Sequence, residues 1–70
     1  MFQFLPGDLV EIIERESQSP LFKKAFVGQV GIIINKVSRK KGAANMYKTH
    51  VDNRSIHLHC LDMKLLSRVD

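Results

Sequence analysis

Alternation of apolar and polar positions with a period of two runs through this chain, and it predicts strands rather than helices. Leu9-Val10-Glu11-Ile12-Ile13 reads as a first short strand, with Val10 and Ile12 on one face and Leu9, Glu11 and Ile13 on the other. Gly28 to Val37 reads as the second and strongest strand. Its three consecutive isoleucines, Ile32 to Ile34, predict a strand covered on much of both faces. Met46 to Val51 alternates again, with Tyr47, Thr49 and Val51 on one side and Met46, Lys48 and His50 on the other. Ile56 to Cys60 places Ile56, Leu58 and Cys60 inward and both histidines outward. Lys64 to Ser67 reads as a last short strand.

The punctuation between these runs is equally informative. Leu5-Pro6-Gly7-Asp8 predicts a turn, because proline presets φ and glycine supplies dihedrals other residues avoid. Glu14 to Val27 has no clean period; it breaks at Ser17-Gln18-Ser19-Pro20 and predicts a long excursion with one short helical turn after Pro20. Gly31, inside a strand, predicts a bend or bulge where another backbone comes close. Ser38 to Asn45 is a basic loop, and Asp52-Asn53-Arg54-Ser55 is a tight hairpin turn with Asn53-Arg54 as its two-residue loop. Leu61-Asp62-Met63 predicts a brief helical turn. The order of elements predicts one all-β domain over residues 1–70: a five-stranded SH3-like barrel with a long first loop and a short helical turn before the last strand. Closure would hide the strand edges that a flat sheet leaves open. The alternative is an open antiparallel sheet completed by a neighbouring subunit.

Composition narrows the function more than the fold. At 70 residues and 8.0 kDa, there is little room for both a scaffold and a walled catalytic cleft. A chain this short buries only about 60% of its unfolded surface, so tight packing, a partner or oligomerisation must help hold it. Cys60 is the single cysteine, which excludes an internal disulfide and points to a reducing compartment or a multi-chain assembly. No apolar run approaches the ~18 residues of a membrane span. The start, Met1 to Gly7, has no basic segment and is not expected to be a signal peptide. Charge is uneven: residues 1–22 hold four acids against Arg15, while residues 23–70 hold ten bases against three acids. That asymmetry favours a polyanion or an acidic protein surface as partner.

Two resemblances add to this reading. Gly7-Asp8-Leu9-Val10 and Gly28-Gln29-Val30-Gly31-Ile32-Ile33 resemble the first two strands of KOW-type SH3-like barrels, found in ribosomal proteins and transcription elongation factors. KOW modules join those strands by a short loop, whereas here Glu14 to Val27 intervene. Pro6-Gly7-Asp8-Leu9-Val10, then Tyr47-Lys48 with Val51-Asp52, then Leu61-Asp62-Met63-Lys64-Leu65-Leu66 are similar to small proteins of tailed bacteriophages. That resemblance implies an SH3-like barrel serving as an accessory part of a head or tail, located in the virion or the host cytoplasm. Relatives of that kind often carry an aromatic residue before the histidine, where this chain has Leu58.

Three groups of residues are candidate sites. Phe2, Phe4, Leu21, Phe22 and Phe26 lie outside the confident strands, and an exposed apolar patch among them would mark a partner surface. The competing expectation is that the long loop folds back and plugs the barrel mouth. Lys36, Arg39, Lys40, Lys41 and Lys48 form a basic segment suited to phosphates or to an acidic protein. Alternation sets His50, His57 and His59 on one polar face, with His50 opposite His57 and Lys48 opposite His59. Three imidazoles could hold Zn²⁺ or make a pH-dependent contact, but the neighbouring lysine repels a cation and no metal is expected. Cys60 falls on the opposite face from the histidines, and no catalytic motif or phosphate loop is present. The expectation is therefore a non-catalytic structural or interaction module without a cofactor or small-molecule substrate, within a larger assembly or homo-oligomer. The alternative is a KOW-like module binding nucleic acid through residues 36–48.

Overall fold

The computed structural model describes residues 4–37 and 45–68. Five antiparallel strands, β1 (Leu9–Ile12), β2 (Val30–Lys36), β3 (Met46–Val51), β4 (Arg54–His59) and β5 (Met63–Ser67), form one sheet in the order β4-β3-β2-β1-β5. One helix, α1 (Pro20–Phe26), interrupts the excursion between β1 and β2, and a 3₁₀ turn over Cys60–Asp62 leads into β5. The sheet is open: among the described residues no ladder joins β4 to β5.

The sheet is nevertheless strongly curled. β3 and β5 stand three ladder spacings apart, about 14 Å in a flat sheet, yet Thr49 Oγ1 lies 3.7 Å from Met63 Sδ. Curling gathers Val10, Ile12, Ile33, Tyr47, Val51, Leu58 and Met63 into one core on the inner face. Phe4 joins them, its ring edge-on to Tyr47 with centroids 5.3 Å apart and its N–H donating to the Tyr47 hydroxyl at 3.3 Å. Gly31 is what lets β2 and β3 approach. A Cβ there would stand 2.6 Å from Val51 Cγ2 and 2.9 Å from Thr49 Cγ2. The expected close approach is therefore present at Gly31, while the bulge falls further on, between Ile33 and Asn35.

The parity of β3 and β4 follows the sequence reading, with Tyr47, Thr49, Val51 and Leu58 buried. The register does not. Asp52 and Asn53 are the turn residues, both at positive φ (51° and 64°), a conformation whose twist suits a two-residue hairpin. The ladder is displaced by two residues from expectation: His50 opposes Ser55, Lys48 opposes His57, and Met46 opposes His59. A shift of two keeps every side chain on its predicted face but changes its partner.

Two carboxylates tie the loops to the sheet. Asp8 is buried in the first turn, accepting from Leu5 N–H at 2.8 Å and from Arg68 Nη2 at 2.9 Å. The Arg68 hydrogen bond holds its carboxyl below the usual 3.8, outweighing the opposing effect of burial. Asp62 gathers the other end. It accepts from Gln18 Nε2 at 3.0 Å and from the His59 N–H at 3.1 Å, with Arg15 Nε 2.8 Å away. That arginine nitrogen makes no aligned hydrogen bond, so charge alone holds the pair. α1 starts at Pro20 because Ser19 caps it, its Oγ accepting from Phe22 N–H at 3.1 Å.

Candidate functional site

The outer face of the sheet departs most from a self-contained small fold. An antiparallel sheet with one solvated face is normally polar on that face. Here β2, the central strand, is aliphatic on both. Ile33 is buried in the core, whereas Val30 and Ile32 are 48% and 47% exposed. The expectation that the three isoleucines would be covered on much of both faces is corrected: among the described residues nothing buries Ile32. Ile34, the extra residue of the bulge, is exposed as well. Leu9 of β1 opposes Ile32 and widens the strip, and Leu66, the unpaired residue of a second bulge in β5, is exposed near it.

Charge on this face is one-sided. On the β1/β5 flank, Glu11 pairs with Lys64 at 3.6 Å and opposes Val30 in the ladder. On the β3/β4 flank, Lys48, His50 and His57 share the face, His50 directly opposite Ile32. Asn35 opposes Lys48, whereas Lys36, exposed at the strand end, opposes the inward-facing Tyr47 and does not belong to this face. Among the described residues the outer-facing strand positions include no phenylalanine or tyrosine.

The predicted apolar patch does not form as a unit. Phe4 is 2% exposed in the core and is corrected from partner surface to structural residue. Phe22 and Phe26 are half-buried against the core, their centroids 5.0 Å apart, with the Arg54 guanidinium 4.8 Å over the Phe26 ring. The excursion thus packs Phe22, Phe26 and Val27 against the core, on an open sheet rather than in the mouth of a closed barrel. Leu21 alone stays out, 82% exposed; Phe2 lies outside the described residues. Of the basic segment, Lys36 and Lys48 are described, and Arg39, Lys40 and Lys41 lie outside the described residues.

The histidines divide by role. His50 and His57 are exposed on the outer face. His59 is half-buried and committed to the 3₁₀ turn, its Nδ1 accepting from Leu61 N–H at 3.1 Å. Cys60 Sγ lies 3.7 Å from that same Nδ1, closer than alternation implied, because the strand ends at His59 and the turn rotates Cys60 back. An Nδ1 already accepting a backbone N–H is poorly placed to take a thiol proton. Among the described residues no group of three or more His, Cys, Asp or Glu is arranged to hold a metal ion, and no helix is long and apolar enough to cross a membrane.

No family model, curated protein or solved structure matches this chain. The residues that sequence reasoning missed are Val30 and Ile32. Their signal was present as an unbroken apolar run, where a strand with one solvated face would alternate with polar residues.

Proposed function

We propose that the protein is a non-catalytic interaction module, built as an SH3-like barrel, that serves as an accessory component of a larger assembly. The strand order β4-β3-β2-β1-β5 and the Thr49–Met63 contact across the curled sheet support the barrel reading. The observation that carries the function is the exposed aliphatic strip of Val30 and Ile32 at the centre of the sheet, since contiguous exposed apolar surface marks an interaction site. A head or tail of a tailed bacteriophage is the assembly the sequence resemblance implies. Size-exclusion chromatography with light scattering on native source material tests this. Elution in a large particle is expected, and elution only as a free 8.0 kDa species would remove the reading.

A second reading has its own support in the basic balance of residues 23–70 and in exposed Lys36. On that reading the chain is a KOW-like module that grips phosphates through Lys36, Arg39, Lys40, Lys41 and Lys48. It requires oligonucleotide affinity that falls steeply with salt and disappears in the Arg39/Lys40/Lys41→Ala variant. Salt-insensitive or absent retention on heparin excludes it.

A further inference from the structure

We infer that the outer face of the sheet docks an acidic protein segment, which lays apolar side chains over Leu9, Val30 and Ile32 and sets carboxylates against Lys48. This rests on the interaction-module reading and assigns that module its surface and the chemistry of its partner.

The choice of occupant follows from what the face offers. Its centre is aliphatic, with Ile32 flanked by Leu9 on β1 and His50 on β3. Such a surface gains from burying apolar area, at about 25 cal/mol per Å². Its charge is asymmetric. Glu11 is already engaged by Lys64 at 3.6 Å, whereas Lys48 stands between Asn35 and His57 with no carboxylate opposite it in either ladder. A partner that covers the strip therefore meets uncompensated positive charge on the β3 side and a neutral pair on the β1 side. Complementary charge there fixes register and suppresses wrong partners.

Two other occupants fit less well. Nucleic acid would satisfy Lys48 but would find no aromatic platform for its bases on these strands, and would leave the aliphatic strip against phosphate and sugar. A second copy of the chain would supply the apolar half, but among the described residues the strand positions of its own outer face offer Glu11 as their one carboxylate, already paired. An acidic, apolar-bearing segment alone satisfies both halves.

The test is a random peptide display library selected on the full-length chain alone, each winner then being measured against the Val30→Thr/Ile32→Thr variant. Threonine keeps the strand preference of β-branched residues, so that variant retains the fold, which amide spectra verify. Selected peptides are expected to combine apolar residues with net acidic charge, and to lose roughly tenfold or more in affinity for the double-threonine variant. They should move the amides of Leu9, Ile32 and Lys48 on titration. The Lys48→Glu variant should turn the selection toward basic peptides.

Neutral or basic winners on the unaltered chain, winners indifferent to the threonine changes, or no winners would overturn the inference. Peptides that bind at exposed Leu21 and leave the outer face unmoved would overturn it while sparing the interaction-module reading. Tight, salt-dependent binding of a single-stranded oligonucleotide, with no peptide selected, would overturn both.

Discussion

Gly31 shows how much can depend on a missing side chain. An added methyl would meet two short β-branched side chains that are themselves buried, and would stand 3.0 Å from the His50 carbonyl oxygen. None of these is the free end of a flexible chain. Gly31→Ala is expected to destabilise by about 1–3 kcal/mol, the usual cost of overpacking, read as a lower urea midpoint. An unchanged midpoint would mean that β2 and β3 can separate more easily than their contacts imply. Asp8 acts at the same scale through charge. Its native carboxyl binds a proton less readily than the ordinary value of 3.8, chiefly because of Arg68. The unfolded chain therefore protonates first as pH falls, so the stabilisation is whole above about pH 4 and drains as pH drops through the lowered native value. Asp8→Asn should lower stability at neutral pH and flatten the acid limb of the stability–pH curve. An acid limb of unaltered slope in that variant would assign acid unfolding elsewhere.

Elements here are held as much by polar anchors as by ladders. Asp62 connects the excursion after β1, through Arg15 and Gln18, to the turn before β5, through the His59 N–H. Its main-chain oxygen also accepts from Ile13 N–H at 2.8 Å. Asp62→Ala leaves a guanidinium and two N–H groups to find water, and about 2 kcal/mol of lost stability follows. Hydrogen exchange should show the loss first at His59, whose amide bonds the carboxylate directly. The element scale is also where the sequence reading was most and least successful. β3 could be located because it alternates cleanly against one buried face, and β1 and β5 because they are short apolar runs that follow turns. The hairpin parity was legible for the same reason, but the register was not. Asp52-Asn53 and Asn53-Arg54 leave every side chain on the same face, and only the positive φ at Asp52 distinguishes them. Asp62 as an anchor was not legible, because its partners at Arg15 and Gln18 are distant in sequence and meet it only after folding.

For the whole molecule the margin is thin. Small domains live on roughly 5–15 kcal/mol, and this chain gathers eight buried hydrophobic residues in its described core. Phe4→Ala removes one of the two large rings that meet edge-on there, at a cost of about 3–5 kcal/mol, enough to populate the unfolded state at room temperature. Leu21→Ala, at a fully projecting position, should leave the thermal midpoint unmoved. If the two variants melt alike, Phe4 does not hold the place in the core described above. The Val30→Thr/Ile32→Thr variant separates stability from function at this scale. Its midpoint should stay within about 1 kcal/mol of the original, since both positions are half exposed, while docking of a partner is lost.

Period and punctuation are local properties, and they were enough to determine the strand count, the helical turn after Pro20 and which side chains of β3 and β4 face inward. Coverage is not local. Whether Phe4 is a core residue or a partner contact, whether Ile32 is sheltered or bare, and which loop a carboxylate will hold depend on how far the sheet curls and what it then has left to cover it. Those were decided only when the inner face gathered around Tyr47 and Leu58, because burial is set by contacts between residues far apart in sequence.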